Sequence, residues 1–277
     1  SVGVSTIRYA DLPSSREPLL LNKLEQYQVR DFLLQQEQEI EPNLMLDLLP
    51  VGKTQQATWL GSQQEQQLLQ ERLLQLGKEL TPVTQQSWQF SPELIIHINV
   101  PQVPHSSYWL SMQSSSASEK RRAQIWLEYL LWLAYLNDDA RSPELERIVI
   151  FSNKTLKFSG LSSSKAHEYL QLWLKAWEIG QQQPLVLPAE LLMKKEWQWA
   201  ENEQGKMTIV EMPELLKAWN NSYESAKPLA SDESSLLHQD WQFILQDQDP
   251  DLALQNCCHD FAHGLYAPIH QHLEWVK

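Results

Sequence analysis

The chain has 277 residues, 42% of them hydrophobic, with 12 tryptophans and a formal net charge of −13. Such a composition can bury a substantial core and excludes a disordered tail. The acidic balance argues against a free-standing, non-specific nucleic-acid binder, while leaving room for one basic face on an acidic body. Helix formers dominate, glycine is scarce at 8 residues and glutamine is frequent, so a helix-rich α+β fold with a small sheet is expected. The two cysteines, Cys257 and Cys258, are adjacent and give no disulfide framework, which points to a reducing compartment. The N-terminal stretch SVGVSTIRYADLP has no apolar core, so no signal peptide is expected. The longest nearly apolar run, Ile125–Leu136, contains Glu128 and falls short of the about 20 residues of a membrane span. A cytoplasmic protein is expected. The start at Ser1 fits either an excised fragment of a longer protein or a trimmed terminus.

In chain order, residues 1–20 read as an irregular entry around Pro13 and Pro18. Leu21–Gln38 reads as a helix on the apolar face Leu21, Leu24, Tyr27, Val29 and Phe32–Leu34. Residues 39–60 read as loop. A second helix is expected from Ser62, which has Glu65 at capping-box spacing, to Leu76, with Gly77 as its stop. Glu93–Val100 and Ser107–Gln113 are the most strand-like segments and read as a hairpin joined through Pro101–Pro104. Leu94, Ile96, Ile98 and Val100 share one face of the first. Tyr108, Leu110 and Met112 share one face of the second. Lys120–Leu136 is apolar all round and predicts a helix buried on most sides.

A second hairpin is expected over Arg147–Ser152 and Thr155–Ser159, turning at Asn153-Lys154. An amphipathic helix follows over Ser163–Gly180, with Gly180 at the C-cap. Helix is also expected at Ala189–Glu201, at Pro213–Asn221, and as one or two pieces broken near Pro268 over Asp251–Trp275. Lys227–Ser235 reads as loop. No repeat and no domain boundary stand out, so one domain is expected, with its core sheet at about 93–160 and helical extensions on either side.

A pair of strands, a Ser-rich turn and a long apolar helix is the order in which many metal-dependent nucleases build their active sites. Two-metal phosphodiester hydrolysis requires carboxylates for the cations and commonly a lysine. In restriction-endonuclease-like folds these are an Asp on one strand and a (D/E)-x-K on the next. Between Glu93 and Glu119 there is no Asp, Glu, Lys or Arg, and no Asp or Glu anywhere is followed two residues later by Lys. The strands keep a nuclease frame without its charges, and no catalytic residue is assigned.

Three other clusters carry reactive or charged side chains. Cys257, Cys258, His259, His263, His270 and His272 form the obvious metal candidate, but the paired-knuckle or finger spacings of structural zinc sites are missing. An ordinary amphipathic helix is the plainer reading, so neither a metal nor another cofactor is expected. Lys120, Arg121 and Arg122 stand at a helix start, where cations oppose the macrodipole; they are the candidate phosphate contacts, against a solvated helix end. Lys194 and Lys195 with Trp197 and Trp199 could offer charge and stacking to single-stranded DNA, but core tryptophans and solvated lysines are the plainer reading. No Gly-rich phosphate loop and no GxSxG are present.

Four segments resemble the C-terminal domain of the exodeoxyribonuclease V gamma subunit (RecC) family. In EPLLLNKLEQYQVRDFLLQ, Glu17, Pro18, Leu20, Leu24, Glu25, Tyr27, Arg30, Leu33 and Leu34 match its entry segment. IWLEYLL (Ile125–Leu131) is similar to its W-L-E-H-L-L, with Tyr129 for His. YLQLWLKAWEIGQQQPLVLPAELL carries its Gly, Pro-Leu and Pro as Gly180, Pro184, Leu185 and Pro188. LYAPIHQHLE (Leu265–Glu274) is similar to its terminal L-Y-G-P-L-x-x-H-L-E, with Ala267 for Gly. The resemblance implies a restriction-endonuclease-like core with a degenerate active site, in a non-catalytic subunit of a helicase–nuclease that processes double-strand breaks for homologous recombination. It implies RecB-type and RecD-type helicase subunits and DNA as partners, and no membrane. Two alternatives stay open: an active metal-dependent nuclease with relocated carboxylates such as Asp138 or Asp139, and a purely helical interaction module.

Overall fold

The computed structural model describes residues 53–102, 106–224, 244–245 and 248–276. The expected helix 21–38, the segment 39–52, residues 103–105 of the expected hairpin connection, and the loop 227–235 lie outside them. Helix α1, Lys53–Leu76, starts well before the capping-box serine and runs through Gly61, beside which there is open space. The glutamines, glutamates and leucines that dominate the helix outweigh one glycine, whose cost is about 1 kcal/mol. Gly77, at φ 59°, ends the helix in the left-handed conformation that glycine adopts without a Cβ penalty.

The expected first hairpin is not formed. Strand β1, Val83–Ser91, lies in a stretch whose glutamines hide its alternation. Thr84, Gln86, Trp88 and Phe90 turn inward while Val83, Gln85, Ser87 and Gln89 face out. Strand β2, Leu94–Pro101, pairs antiparallel with β1, bringing Trp88 opposite Ile96. Its alternation is as expected: Ile98 and Val100 are buried, Ile95, His97 and Asn99 exposed. Strand β3, Tyr108–Gln113, belongs to another sheet and pairs in parallel with β4, Glu146–Phe151. Parallel pairing demands a long crossover, and helix α2, Glu119–Leu136, supplies it.

Strand β5, Thr155–Phe158, returns antiparallel to β4 across Asn153-Lys154, as expected. The sheet is completed by β8, Leu273–Val276, on the outside of β5, giving the order β3-β4-β5-β8. The terminal segment, read as helical, therefore finishes as an edge strand. The free rim of β5 offers a ladder that Leu273–Val276 completes, and tertiary pairing overrides local helical preference.

Both faces of this sheet are covered. On one, Leu69 of α1 packs on Leu110, Ile148 and Ile150. On the other, α2 buries Ile125, Trp126, Tyr129, Leu130, Trp132 and Leu133 against Trp109, Val149, Leu156 and Phe158. Each such side chain contributes up to about 1.5–3 kcal/mol. Ser118 caps α2 by accepting from the Arg121 N–H, and Asn137, at φ 50°, ends it. Tyr129 donates to the Leu145 carbonyl at 3.0 Å.

Helix α3, Ser163–Gly180, has the expected bounds, but its C-cap is Gln181 in a right-handed conformation, so Gly180 is not the stop. Helix α4 is only Ala189–Leu192; the rest of the expected helix 189–201 instead yields β6, Trp199–Glu201, paired with β7, Met207–Ile209. Trp199, which opens β6, suits a pleated surface better than a helix. Helix α5 covers Met212–Glu224. The chain then forms α6, Pro250–Cys257, a π-turn over Cys258–Ala262, α7, His263–Leu265, and α8, Ala267–His272.

Candidate functional site

A cleft of about 320 Å³ opens between β2 and the β3–β4 pair. His97 and Asn99 line it from the exposed face of β2, Trp109 and Ser111 from β3, Glu128 from α2 and Arg147 from β4. At its centre Arg147 Nη2 donates to Glu128 Oε2 at 2.8 Å, and Nη1 donates to the carbonyls of Ile148 (2.9 Å) and Trp109 (3.3 Å). The guanidinium also lies 4.1 Å from the centre of the Trp109 ring.

Arg147 is only 2% exposed. Burial pushes its pKa down, and the charge and hydrogen bond of Glu128 oppose that; an arginine stays protonated in either case. Among the described residues the cleft wall therefore presents one carboxylate, already engaged by a cation, with Thr81, His97, Asn99 and Ser111 around it. His97 is tied to the Ser87 hydroxyl at 3.0 Å across the β1–β2 pair. The hydroxyls of Ser111, Ser114 and Ser115 and the Gln113 carbonyl oxygen are buried without a protein partner at the end of β3. Neutral oxygens and one paired carboxylate are a poor donor set for two hard divalent cations.

The three cations proposed as phosphate contacts do not share one environment. Lys120 is exposed. Arg121 is half-exposed and bonded to Gln124. Arg122 is buried, donating to Glu119 Oε1 at 2.9 Å and to the Met193 carbonyl at 3.3 Å. Lys194 is exposed, whereas Lys195 lies 4.1 Å over the buried Trp197 ring and pairs with Glu214 at 3.1 Å. Trp199 meets His263 edge-on. Trp197 is buried in the core and Trp199 packs partly buried against it.

Asp138 and Asp139 sit at the opposite end of α2 from Ser118. Asp138 Oδ1 accepts from the Arg141 N–H, and Asp139 Oδ1 accepts from the Ser164 N–H at 2.7 Å. Both oxygens are in use as backbone caps.

The C-terminal cysteines and histidines are dispersed among separate partners. Cys257 Sγ accepts from the Val186 N–H at 3.2 Å, and burial pushes its thiol up. Burial pushes Cys258 up to about 12. His259 bonds Thr208 at 3.1 Å, while His272 bonds the Ser159 carbonyl and stacks on Trp126. Among the described residues no three His, Cys, Asp or Glu side chains are grouped to hold a metal, and no helix is long and apolar enough to cross a membrane.

The model of the RecC C-terminal domain family matches residues 1–204. The chain belongs to the RecC C-terminal domain family. No curated protein matches it. Membership gives IWLEYLL its physical meaning here. Ile125, Trp126, Tyr129 and Leu130 of this RecC-type segment are core, and Glu128 is the partner of Arg147. The segment LYAPIHQHLE lies beyond the matched residues; in it Tyr266 donates to the Leu187 carbonyl at 3.1 Å and the chain runs directly into β8. The Arg147–Glu128–Trp109 cluster escaped sequence reasoning because its members lie on three elements far apart in sequence, with no local spacing to betray them.

Proposed function

We propose that this chain is a catalytically silent, restriction-endonuclease-like domain of a longer RecC-type subunit. It scaffolds RecB- and RecD-type helicase subunits and guides DNA within a cytoplasmic RecBCD-type helicase–nuclease in double-strand-break repair by homologous recombination. One observation carries the silent-site reading. Where a nuclease needs clustered carboxylates and a lysine, the cleft holds a buried guanidinium clamped on Glu128, its sole lining carboxylate among the described residues. The frame supports the ancestry: strands, a Ser-rich turn and a buried helix follow one another before the parallel β3–β4 pair closes. The four-stranded sheet beside α2 favours this over a purely helical module.

On this reading the exposed Leu74 and Trp177 mark surfaces for protein partners, and Lys120 and Arg121 meet phosphate, with Arg122 holding the helix start in place. The test is assembly. RecB- and RecD-type subunits are captured on a tagged RecC-type subunit with and without this domain. Loss of RecD-type capture on deletion is expected; unchanged capture of both subunits overturns the scaffolding role.

A further inference from the structure

A second pocket, of about 280 Å³, lies across the sheet edge from the cleft and has the opposite character. Arg72 and Gln75 reach it from α1, Asn153, Lys154 and Thr155 from the β4–β5 turn, and Trp275 from β8. Among the described residues no carboxylate lines it, although the chain carries a net charge of −13. Neither Arg72 nor Lys154 enters a salt bridge among the described residues.

Trp275 is 38% exposed, an unusual place for an indole on an edge strand. Lys154 Nζ stands 4.7 Å from its ring centre and the Arg122 guanidinium 5.9 Å, so two cations lie within cation–π reach of the ring. Arg72 is fixed by Nη1, which donates to the carbonyls of Phe151 and Ser152.

The pocket is also continuous with the start of α2. The Ser152 N–H donates to the Ser115 carbonyl at 3.2 Å, and the Ala117 N–H donates to Asn153 Oδ1 at 3.0 Å. These bonds stitch the Ser-rich turn before α2 to the pocket's own turn. The start of α2, with Lys120 and Arg121, is thereby tied to the turn that carries Lys154.

An aromatic face with two cations and no anion suits a ligand that is itself aromatic and anionic. Its volume is at the small end of ligand pockets, about 300–1,000 Å³, which fits one unit of a polymer. We infer that this pocket takes one nucleotide of single-stranded DNA, its base on Trp275 and its phosphate between Lys154 and Arg72. The inference rests on the DNA-guiding reading above and gives it a stacking platform that Lys120 and Arg121 lack. Base–aromatic stacking accepts any base, so the site grips the strand without reading its sequence.

The test measures binding of a short fluorescein-labelled oligo-dT strand to the full chain by anisotropy, in low and moderate salt. Trp275→Ala and Lys154→Glu are each expected to weaken binding about tenfold. Lys154 is on an exposed turn, so its variant keeps the test independent of folding. Lys175→Glu makes the same charge change on the exposed side of α3 and should leave binding unchanged. Thymidine monophosphate should compete better than inorganic phosphate. Wild-type affinity in both pocket variants, equal weakening by Lys175→Glu, or equal competition by phosphate alone each overturns the pocket while leaving DNA guiding intact. If the wild-type chain does not bind the strand at all, the pocket and the DNA-guiding reading fall together.

Discussion

Arg147 and Glu128 meet at 2.8 Å across the cleft, joining the second strand of the parallel pair to the helix that crosses between the two strands. The pair is unevenly exposed: the arginine side chain is 2% accessible and the glutamate 29%. Neutralising the glutamate strands a buried cation. Glu128→Gln should destabilise the chain by about 3 kcal/mol, the lower end of the range for breaking a buried pair. Arg147→Met, which removes the buried charge and leaves a partly solvated carboxylate, should cost less. Urea unfolding of both variants checks the order; an equal or reversed order removes the pair from its structural role.

Acid sensitivity should come first from two histidines. Burial pushes His263 below its ordinary 6.5. Burial also lowers His270, with the Arg122 charge adding to it and Glu196 opposing. The unfolded chain then binds protons more readily than the folded one. Their contribution to stability is whole above about pH 6.5 and is lost as the pH falls from there toward the folded values. Glu146 responds lower on the scale. Burial alone would raise it, but the bonds and charges of Lys78 and Lys157 hold it below the ordinary carboxylate value, so its contribution is lost only in more acid solution. Melting temperature should fall between about pH 7.5 and about pH 5.5, and the double variant His263→Asn, His270→Asn should flatten that fall. An unaltered slope in the double variant assigns the sensitivity elsewhere.

What could be read from the chain followed the strength of local periodicity. Helix 163–180 and the β4–β5 hairpin were legible because their apolar spacing and turn are local. Which residues share a face of β2 and of β3 was legible too, since a period of two needs no partner. Which strand pairs with which was not. Ile96 faces Trp88, and Leu110 faces Ile148, through tertiary choices that adjacency misrepresents. Strand β1 was hidden by its glutamines, and β8 by helical neighbours. At the cleft, the missing carboxylates were plain in the sequence; the guanidinium among them was not, because Arg147 reads as one charged residue opening a strand.

The cleft should be inert toward phosphodiesters. With Glu128 committed to Arg147 and Thr81, His97, Asn99 and Ser111 beside it, the described residues offer no set of charged oxygens for two magnesium ions. Purified chain incubated with Mg²⁺ or Mn²⁺ should cleave neither single- nor double-stranded DNA above a heat-treated control. Reproducible cleavage that disappears in His97→Ala or Asn99→Ala would falsify the silent-site reading. Cleavage that persists in both variants would point to a contaminant.

The start of α2 allows stability and DNA contact to be separated by sign. Lys120 is exposed and Arg121 half-exposed, directly after the Ser118 cap. Cations in a first turn oppose the helix macrodipole, each at a cost of about 0.3–1 kcal/mol. Residues kept for folding alone would gain nothing there. The double variant Lys120→Gln, Arg121→Gln should therefore melt slightly higher than wild type. It should also bind single-stranded DNA more weakly, with the slope of log affinity against log salt reduced by about 1–2. A higher melting temperature with unchanged affinity and slope would show two solvated cations at a helix end and remove them from the DNA path. Lower stability together with lower affinity would mean that the helix start, with Arg122 donating to Glu119 and Met193 behind it, had been disturbed.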